Sequence, residues 1–267
     1  MLKQRIFTAI VLVATLLAAL FAPNPIFWQI MISVMLTLGF YEWLKFCEIE
    51  AMGHKVAAFF LFFALGFSLD AGFISLNVVI AVVCTLWCAL LAFTVIDIMP
   101  FFHAKLVKLL TGVVTLAVAG WLIIIIRELD DGLSFVMGFF LCVIAADVGA
   151  YFSGKRFGKT KLAPTISPGK TVEGFLGGLG LVVVIFVPIL FYKYSSVIAA
   201  GLLLTVILTA IVSVGGDLFE SKLKRYVGLK DSSQILPGHG GVLDRVDSLM
   251  AGVPVFALGL LLLGFFD

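Results

Sequence analysis

Residues 221–247 read Ser-Lys-Leu-Lys-Arg-Tyr-Val-Gly-Leu-Lys-Asp-Ser-Ser-Gln-Ile-Leu-Pro-Gly-His-Gly-Gly-Val-Leu-Asp-Arg-Val-Asp. This polar, glycine-rich stretch separates two apolar runs, 196–215 and 249–266, each of which is long enough to cross a membrane. Only 13% of the 267 residues are charged. Ten of those charged residues nevertheless fall between positions 217 and 247. Such a concentration of charge at a membrane face predicts a site for a charged ligand.

The composition of the whole chain is that of a polytopic membrane protein. The chain is 62% hydrophobic, and its mean hydropathy is +1.20. The net charge of +2 gives no reason to expect a nucleic-acid partner. We therefore predict an all-α integral membrane protein built as a single domain, 1–267. Residues 1–130 form its N-terminal helices, and 131–267 carry the chemically distinctive motifs.

Apolar runs of 17–22 residues recur along the sequence and predict about nine transmembrane helices. The third and fourth runs are divided only by Asp70 and a turn of small residues, so their separation is the weakest point of the prediction. The run at 6–22 lacks a signal-peptide cleavage pattern and is interpreted as the first membrane helix. The predicted spans are 6–22, 26–44, 56–74, 76–96, 106–126, 133–152, 174–193, 196–215 and 249–266.

The basic residues predict the orientation of these helices. If the N-terminus is cytoplasmic, 16 of the 18 Lys and Arg residues fall on the cytoplasmic side, and only Arg127 and Lys193 fall outside. This arrangement places the polar loops 153–172 and 216–248 together in the cytoplasm and Asp267 outside. The prediction is a multi-pass protein of a bacterial-type inner membrane whose active site faces the cytoplasm.

Acidic side chains cluster where the last two apolar runs meet the polar stretch. Asp217, Glu220, Ser221 and Lys224 share one face of a helix, and Asp244 and Asp247 lie at the start of the ninth run. A solvated helix end is one interpretation. The other is a Mg²⁺ site formed by Asp217, Asp244 and Asp247, because Mg²⁺ prefers carboxylate oxygens and commonly also holds substrate phosphates.

The loop between these carboxylates has the composition of a phosphate-binding loop. It contains Gly238, Gly240 and Gly241, which permit a close approach of backbone N–H groups to an anion. His239 is either a turn residue or a ligand contact. Several cations nearby are candidates for binding a polyphosphate: Lys224, Arg225, Lys230 and Arg245.

A second polar loop carries the sequence Ser167-Pro168-Gly169-Lys170-Thr171. It resembles a helix start with Ser167 as N-cap, which would place Lys170 near a helix N-terminus suited to phosphate. The glycine that a Walker A loop requires is replaced by Pro164. Asp147 is a lone carboxylate within the sixth apolar run, and it is either a site residue or a buried structural group.

Acidic residues near Lys45 have a plainer interpretation. Glu42, Glu48 and Glu50 are interpreted as part of a solvated cytoplasmic turn.

The spacing of these motifs resembles one enzyme family. Ser221-x-x-Lys224-Arg225-x4-Lys230-Asp231, followed by Leu236-Pro237-Gly238-His239-Gly240-Gly241-x-x-Asp244-Arg245-x-Asp247, is similar to the signature of phosphatidate cytidylyltransferases, also called CDP-diacylglycerol synthases. Gly216-Asp217-Leu218-x-Glu220-Ser221 and Ser167-Pro168-x-Lys170-Thr171-x-Glu173-Gly174 also look like this family. These motifs lie only in the C-terminal half of the chain.

The resemblance implies that the protein transfers CMP from CTP to phosphatidate, giving CDP-diacylglycerol and pyrophosphate with Mg²⁺. It leaves room for a second, monovalent cation. The implied catalytic residues are Asp217, Lys224, Arg225 and Asp244. The candidate substrate contacts within the motifs are Lys170, Ser221, Lys230, His239, Gly240, Gly241 and Arg245, and Asp147 is a further candidate outside the motifs. Membrane lipids and a second copy of the chain in a homodimer are the remaining candidate partners.

Two other functions remain open at this point. A CTP-dependent kinase of a polyprenol or another lipid alcohol would release CDP and a phospholipid, so product analysis separates it from the transferase. A transporter or cation channel would use Asp147 and Asp217 as ion sites, and ion flux in liposomes would reveal it. Against the channel, the acidic residues cluster with a basic loop at one membrane face and do not line a path across the membrane.

Overall fold

The computed structural model describes residues 2–96 and 104–266, so Asp267 and its predicted outside location lie beyond the described residues. Within these ranges the chain forms nine α-helices and one two-stranded hairpin, in agreement with the predicted all-α class. The elements are α1 (Leu2–Leu20), α2 (Ile26–Phe46), α3 (Met52–Asp70), α4 (Leu76–Val95), α5 (Lys105–Glu128), α6 (Gly132–Phe157), β1 (Lys161–Ala163), β2 (Ser167–Thr171), α7 (Val172–Lys193), α8 (Ser196–Tyr226) and α9 (Leu243–Leu262).

The helix boundaries follow the apolar runs and the turn residues between them. Gly72 adopts a φ of 71° in the turn after α3, and Ser75 is extended before α4, so the third and fourth runs are two separate helices as predicted. Among the described residues, eight helices are long and apolar enough to cross a membrane. The remaining helix is α1, whose apolar part, Ile6–Leu20, is shorter than the predicted first span.

Glycines allow the C-terminal helices to pack closely in pairs. A Cβ at Gly149 of α6 would lie 2.8 Å from the carbonyl oxygen of Gly177 on α7. A Cβ at Gly216 of α8 would lie 2.6 Å from the Cβ of Ala251 on α9. Because the backbones approach at these positions, the polar ends of α8 and α9 are held side by side. The central helix of the bundle is α5, most of whose side chains are buried.

The two polar loops meet at one end of the bundle. Lys170 precedes α7 and forms an ion pair with Asp217 near the end of α8. At the opposite end, Arg127 donates hydrogen bonds to the carbonyl oxygen of Leu20, and Lys193 pairs with Asp131. The two basic residues that the sequence assigns to the outside therefore lie at the far end from the predicted site.

The predicted helix start at Ser167 is wrong. Residues 167–171 form strand β2, which pairs antiparallel with β1, and the helix begins only at Val172. The N-cap of α7 is Thr171, whose hydroxyl accepts a hydrogen bond from the backbone N–H of Gly174 at 3.1 Å. Lys170 consequently lies in a strand, two residues before the helix.

Candidate functional site

Asp217 lies where the second polar loop contacts α8. Its Oδ2 atom is 2.6 Å from Nζ of Lys170, and its Oδ1 accepts a hydrogen bond of 3.2 Å from the hydroxyl of Ser221, one turn further along α8. Asp147 of α6 lines a cleft together with Lys170, and it interacts electrostatically with both Lys170 and Asp217. Four of the predicted site residues are thus brought together from three elements.

Lys224 joins the acidic residues of α8 and α9. Its ammonium lies 3.0 Å from Oε2 of Glu220 and 2.6 Å from Oδ1 of Asp244, and its side chain is largely buried. By contrast, Lys222 donates to the carbonyl oxygens of Phe93 and Thr94 at the end of α4. Lys224 and Lys222 therefore lie on different faces of α8. Only Lys224 contacts these carboxylates, as the helical periodicity of the sequence predicts.

Asp244 is fully engaged by protein donors. Besides Lys224, its carboxylate accepts hydrogen bonds from the backbone N–H and the hydroxyl of Ser232, and from the N–H of Gly241 at 2.8 Å. These bonds fold the glycine-rich loop over the start of α9. Asp244 also lies in the first turn of α9, where the helix dipole favours an acidic side chain.

Glu42 is a site residue that the sequence analysis missed. It was expected in a solvated turn, but the structure buries it completely in α2. Its carboxylate accepts hydrogen bonds from the N–H groups of Val242 (3.1 Å) and Leu243 (2.7 Å) and from the hydroxyls of Ser232 and Ser233. Only its place within an apolar run, with Tyr41 and Trp43 beside it, could have signalled burial.

Glu48 and Glu50 remain exposed, as expected. Glu48 pairs at 3.1 Å with Lys108 of α5, and this hydrogen bond and the lysine charge lower the pKa of the Glu48 carboxyl.

Asp247 and Glu220 have fewer hydrogen-bond donors around them than their carboxylate oxygens can accept. Asp247 is buried, adjoins the carboxyl of Glu220 and is repelled by the charge of Asp217. Its Oδ1 accepts a hydrogen bond from the N–H of Ser248, whereas Oε1 of Glu220 is buried with no hydrogen-bond partner. An unpartnered oxygen among repelling carboxylates suits a hard cation.

The predicted trio of Asp217, Asp244 and Asp247 does not form a preassembled metal site. No group of three His, Cys, Asp or Glu side chains is arranged to hold a metal ion within 2–96 and 104–266. Asp244 has its oxygens occupied by Lys224, Ser232 and Gly241. Asp217, Asp247 and Glu220 interact electrostatically, but they too form no ready group of metal ligands in the part of the chain that the structure describes.

A polar cavity lies beside the glycine-rich loop. Its walls include Lys230, Asp231, His239, Gly240 and Arg245. The guanidinium of Arg245 donates to the carbonyl oxygen of His239 at 2.7 Å, which curls the loop around the cavity. Gly238 and Gly240 adopt φ values of 77° and 83°, which glycine accepts without strain.

The fourth predicted cation, Arg225, lies apart from this cavity wall. It is exposed and donates to the carbonyl oxygen of Leu229.

An apolar groove adjoins the polar cavity. It runs between α1, α2 and α9, and it shares Leu236, His239 and Arg245 with the cavity. The hydroxyl of Thr8 on α1 donates to the carbonyl oxygen of Pro237 at 3.1 Å, so the first helix is attached to the loop. The candidate site thus combines a cationic, solvent-facing part with an apolar part that faces the helices.

Comparison with known proteins shows sequence similarity to one family over nearly the whole chain. Residues 3–263 match the cytidylyltransferase family. The phosphatidate cytidylyltransferase of Haemophilus influenzae is 39% identical over 96% of this chain and 98% of its own length. That of Pseudomonas aeruginosa is 38% identical over 96% of both chains, and that of Helicobacter pylori strain J99 is 35% identical over 94% of this chain and 88% of its own.

Proposed function

The chain belongs to the cytidylyltransferase family, and we propose that it transfers CMP from CTP to phosphatidate, giving CDP-diacylglycerol and pyrophosphate. The observation that carries this proposal is the near full-length similarity to phosphatidate cytidylyltransferases. The site supports it, because buried carboxylates, a glycine-rich loop and cations converge at one end of a membrane-spanning bundle.

The reaction requires charge neutralisation and positioning more than proton abstraction. The attacking oxygen of phosphatidate is already anionic, so it needs little help from a general base. The phosphate of phosphatidate must, however, approach the three negatively charged phosphates of CTP. Lys230 and Arg245 line the polar cavity and would bind the triphosphate from the aqueous side. The Gly240 backbone permits close approach of a phosphate at the same wall.

Lys224 and Lys170 have different roles in this mechanism. Lys224 is buried and holds Glu220 and Asp244 together, so it maintains the shape of the site. Lys170 is partly exposed beside Asp217 and can exchange that partner for a substrate phosphate. Arg225 is exposed at the end of α8, where it would contribute long-range attraction for the nucleotide.

We also propose that the enzyme depends on Mg²⁺ held by Asp217, Asp247 and Glu220. When bound, the ion would neutralise charge on the nucleotide phosphates and on the departing pyrophosphate. The support is the unpartnered Glu220 oxygen beside two further carboxylates. Ser221 orients Asp217 for this role through its hydrogen bond.

The chain is a multi-pass membrane protein. We propose that it resides in a bacterial inner membrane with the site end of the bundle in the cytoplasm, where CTP is available. The support is the concentration of basic residues at that end.

Assay of the purified protein tests the function directly. With CTP, phosphatidate and Mg²⁺ in detergent, we expect equimolar pyrophosphate and CDP-diacylglycerol, and chelation of the metal should stop the reaction. Release of CDP with a phosphorylated lipid alcohol would instead identify a CTP-dependent lipid kinase.

A further inference from the structure

The apolar groove beside the polar cavity has the shape and the chemistry of a lipid-chain site. Its walls are almost entirely aliphatic, including Leu12 and Leu16 of α1, Met31 and Met35 of α2 and Leu249 of α9. A groove of this composition cannot hold a nucleotide, whose base and phosphates need hydrogen-bond partners. It is suited to a flexible hydrocarbon chain, since methionine and leucine side chains adapt to irregular apolar ligands.

The groove is continuous with the lipid-facing surface of the bundle. Val13 and Val34 line it and are about half exposed, at 55% and 51%. Phe7 and Ile30 on the neighbouring outer faces of α1 and α2 are also exposed. In a membrane protein such faces contact acyl chains, so a lipid can enter the groove sideways without crossing water.

The inner end of the groove is cationic. Arg245 and His239 form the wall that the groove shares with the polar cavity, and Nδ1 of His239 is buried without a hydrogen-bond partner. An imidazole nitrogen and a guanidinium at the end of a hydrocarbon-lined groove match a lipid whose head is a phosphate group. A nucleotide in the adjoining cavity would meet that phosphate at the shared wall.

We propose that the groove between α1, α2 and α9 binds an acyl chain of phosphatidate and places the lipid phosphate beside His239 and Arg245. This inference rests on the proposed function and adds the route and position of the lipid. The other cleft at the site, between α6 and α7, is the rival. Its walls mix charged side chains, Asp147, Lys155 and Lys170, with apolar ones such as Phe175 and Val214, whereas the groove keeps its charged group at one end.

Photo-crosslinking tests the location without relying on turnover. The full-length protein in phosphatidylcholine vesicles is irradiated with phosphatidate that carries a diazirine in one acyl chain. The matched probe is phosphatidylcholine with the same labelled chain. We expect phosphatidate-specific adducts in 9–16 and 31–38 that unlabelled phosphatidate displaces. Equal labelling by both probes would mean ordinary bilayer contact, and specific adducts near Tyr151 and Phe175 would place the lipid in the rival cleft; either result overturns the proposal.

A pair of variants provides the kinetic test. Ala9 lines the groove, whereas Ala14 lies on the same helix outside it and is exposed. Ala9→Trp should raise the apparent KM for long-chain phosphatidate by about tenfold and leave the KM for CTP within about twofold, while Ala14→Trp should change neither. Equal effects of the two variants would overturn the proposal that the groove binds the lipid. Should Ala9→Trp fail to fold, the crosslinking decides alone. Failure of the proposed function itself would appear differently, as wild-type protein that releases no pyrophosphate.

Discussion

Individual ion pairs at the site differ in how much solvent they meet, and this difference separates structural from reactive residues. Lys224 and its partners Glu220 and Asp244 are almost fully withdrawn from solvent. Lys170 and Asp217 keep about 27% and 32% of their side-chain surface exposed. A buried pair is costly to break, because removal of one partner leaves an uncompensated charge. A partly exposed pair can open to admit a ligand.

Replacement of Asp217 by Asn should nearly abolish turnover while the protein still folds. The change keeps the size of the side chain but removes the charge that pairs with Lys170 and would contact the metal. We expect kcat to fall by about a hundredfold or more, with a melting temperature close to wild type. Asp130→Asn at the opposite end is the matched control. Near-normal rates in the Asp217 variant would refute its catalytic assignment.

Loss of Lys224 should damage stability as well as activity. Lys224→Ala leaves Glu220 and Asp244 without their shared cation, and we expect a destabilisation of about 3–5 kcal/mol and a drop in kcat/KM of at least about tenfold. Lys222→Ala removes a lysine from the same turn whose bonds go to α4 carbonyls. Its effect should be small. The measurement is CTP-saturation kinetics and thermal melts of both variants in the same detergent. Equal effects of the two substitutions would contradict the conclusion that only the helix face carrying Lys224 belongs to the site.

Helices at the site are held together by a few polar contacts and close approaches of backbone. Glu42 links α2 to the first N–H groups of α9, and Gly216 allows α8 to contact the backbone of α9 at Asp247. These contacts fix the separation of the carboxylates on α8 and α9. The catalytic geometry therefore depends on residues that touch no substrate.

Glu42→Gln should loosen the start of α9. The amide offers one acceptor oxygen where the carboxylate serves four donors, so at least one buried donor loses its partner at about 1–3 kcal/mol. We expect lower thermal stability and a lower kcat, with little change in the KM for CTP. Glu50→Gln is an exposed control four residues after α2. If both variants behave as wild type, Glu42 has no positioning role.

A methyl group at Gly216 should separate α8 from α9. The new Cβ would lie 2.6 Å from the Cβ of Ala251 and 2.8 Å from the carbonyl oxygen of Asp247, so one helix must shift. Gly216→Ala should therefore lower both the melting temperature and kcat by measurable amounts. Gly180→Ala makes the same change where nothing lies within 4 Å of the new atom. Its thermal melt should match or exceed wild type, and a similar loss in both variants would point to a general effect of helix composition.

At the scale of the whole molecule, the polar loops and most basic residues gather at one end of the bundle. This distribution predicts that the end carrying the site faces the cytoplasm. Cysteines introduced at Gln234 and Asp130, both exposed, report on the two ends. The wild-type protein measures background labelling of the native thiols. A membrane-impermeant maleimide should label the Asp130 variant in intact cells and the Gln234 variant only after lysis. The reverse pattern would refute the orientation.

Sequence alone predicted the helical class, the separation of α3 from α4 and the face shared by Asp217, Glu220 and Lys224, because helix periodicity and apolar length are local properties. It failed at Ser167, where pairing with β1 outweighed a local helix-start pattern. It also failed at Glu42. The partners of that carboxylate lie about 190 residues later in the chain, and no local signal reveals such a contact.

The burial of Glu42 has a consequence for how the protein is made. A nascent chain inserts α2 long before the ribosome reaches Val242 and Leu243, so the carboxylate first enters the membrane region with none of its final donors. That state is unfavourable, because a carboxylate inside the membrane region needs hydrogen-bond partners, and the arrival of the last helix supplies them. Chains that terminate before α9 should therefore remain open to membrane proteases, and the completed α9 would serve as the signal that assembly is finished.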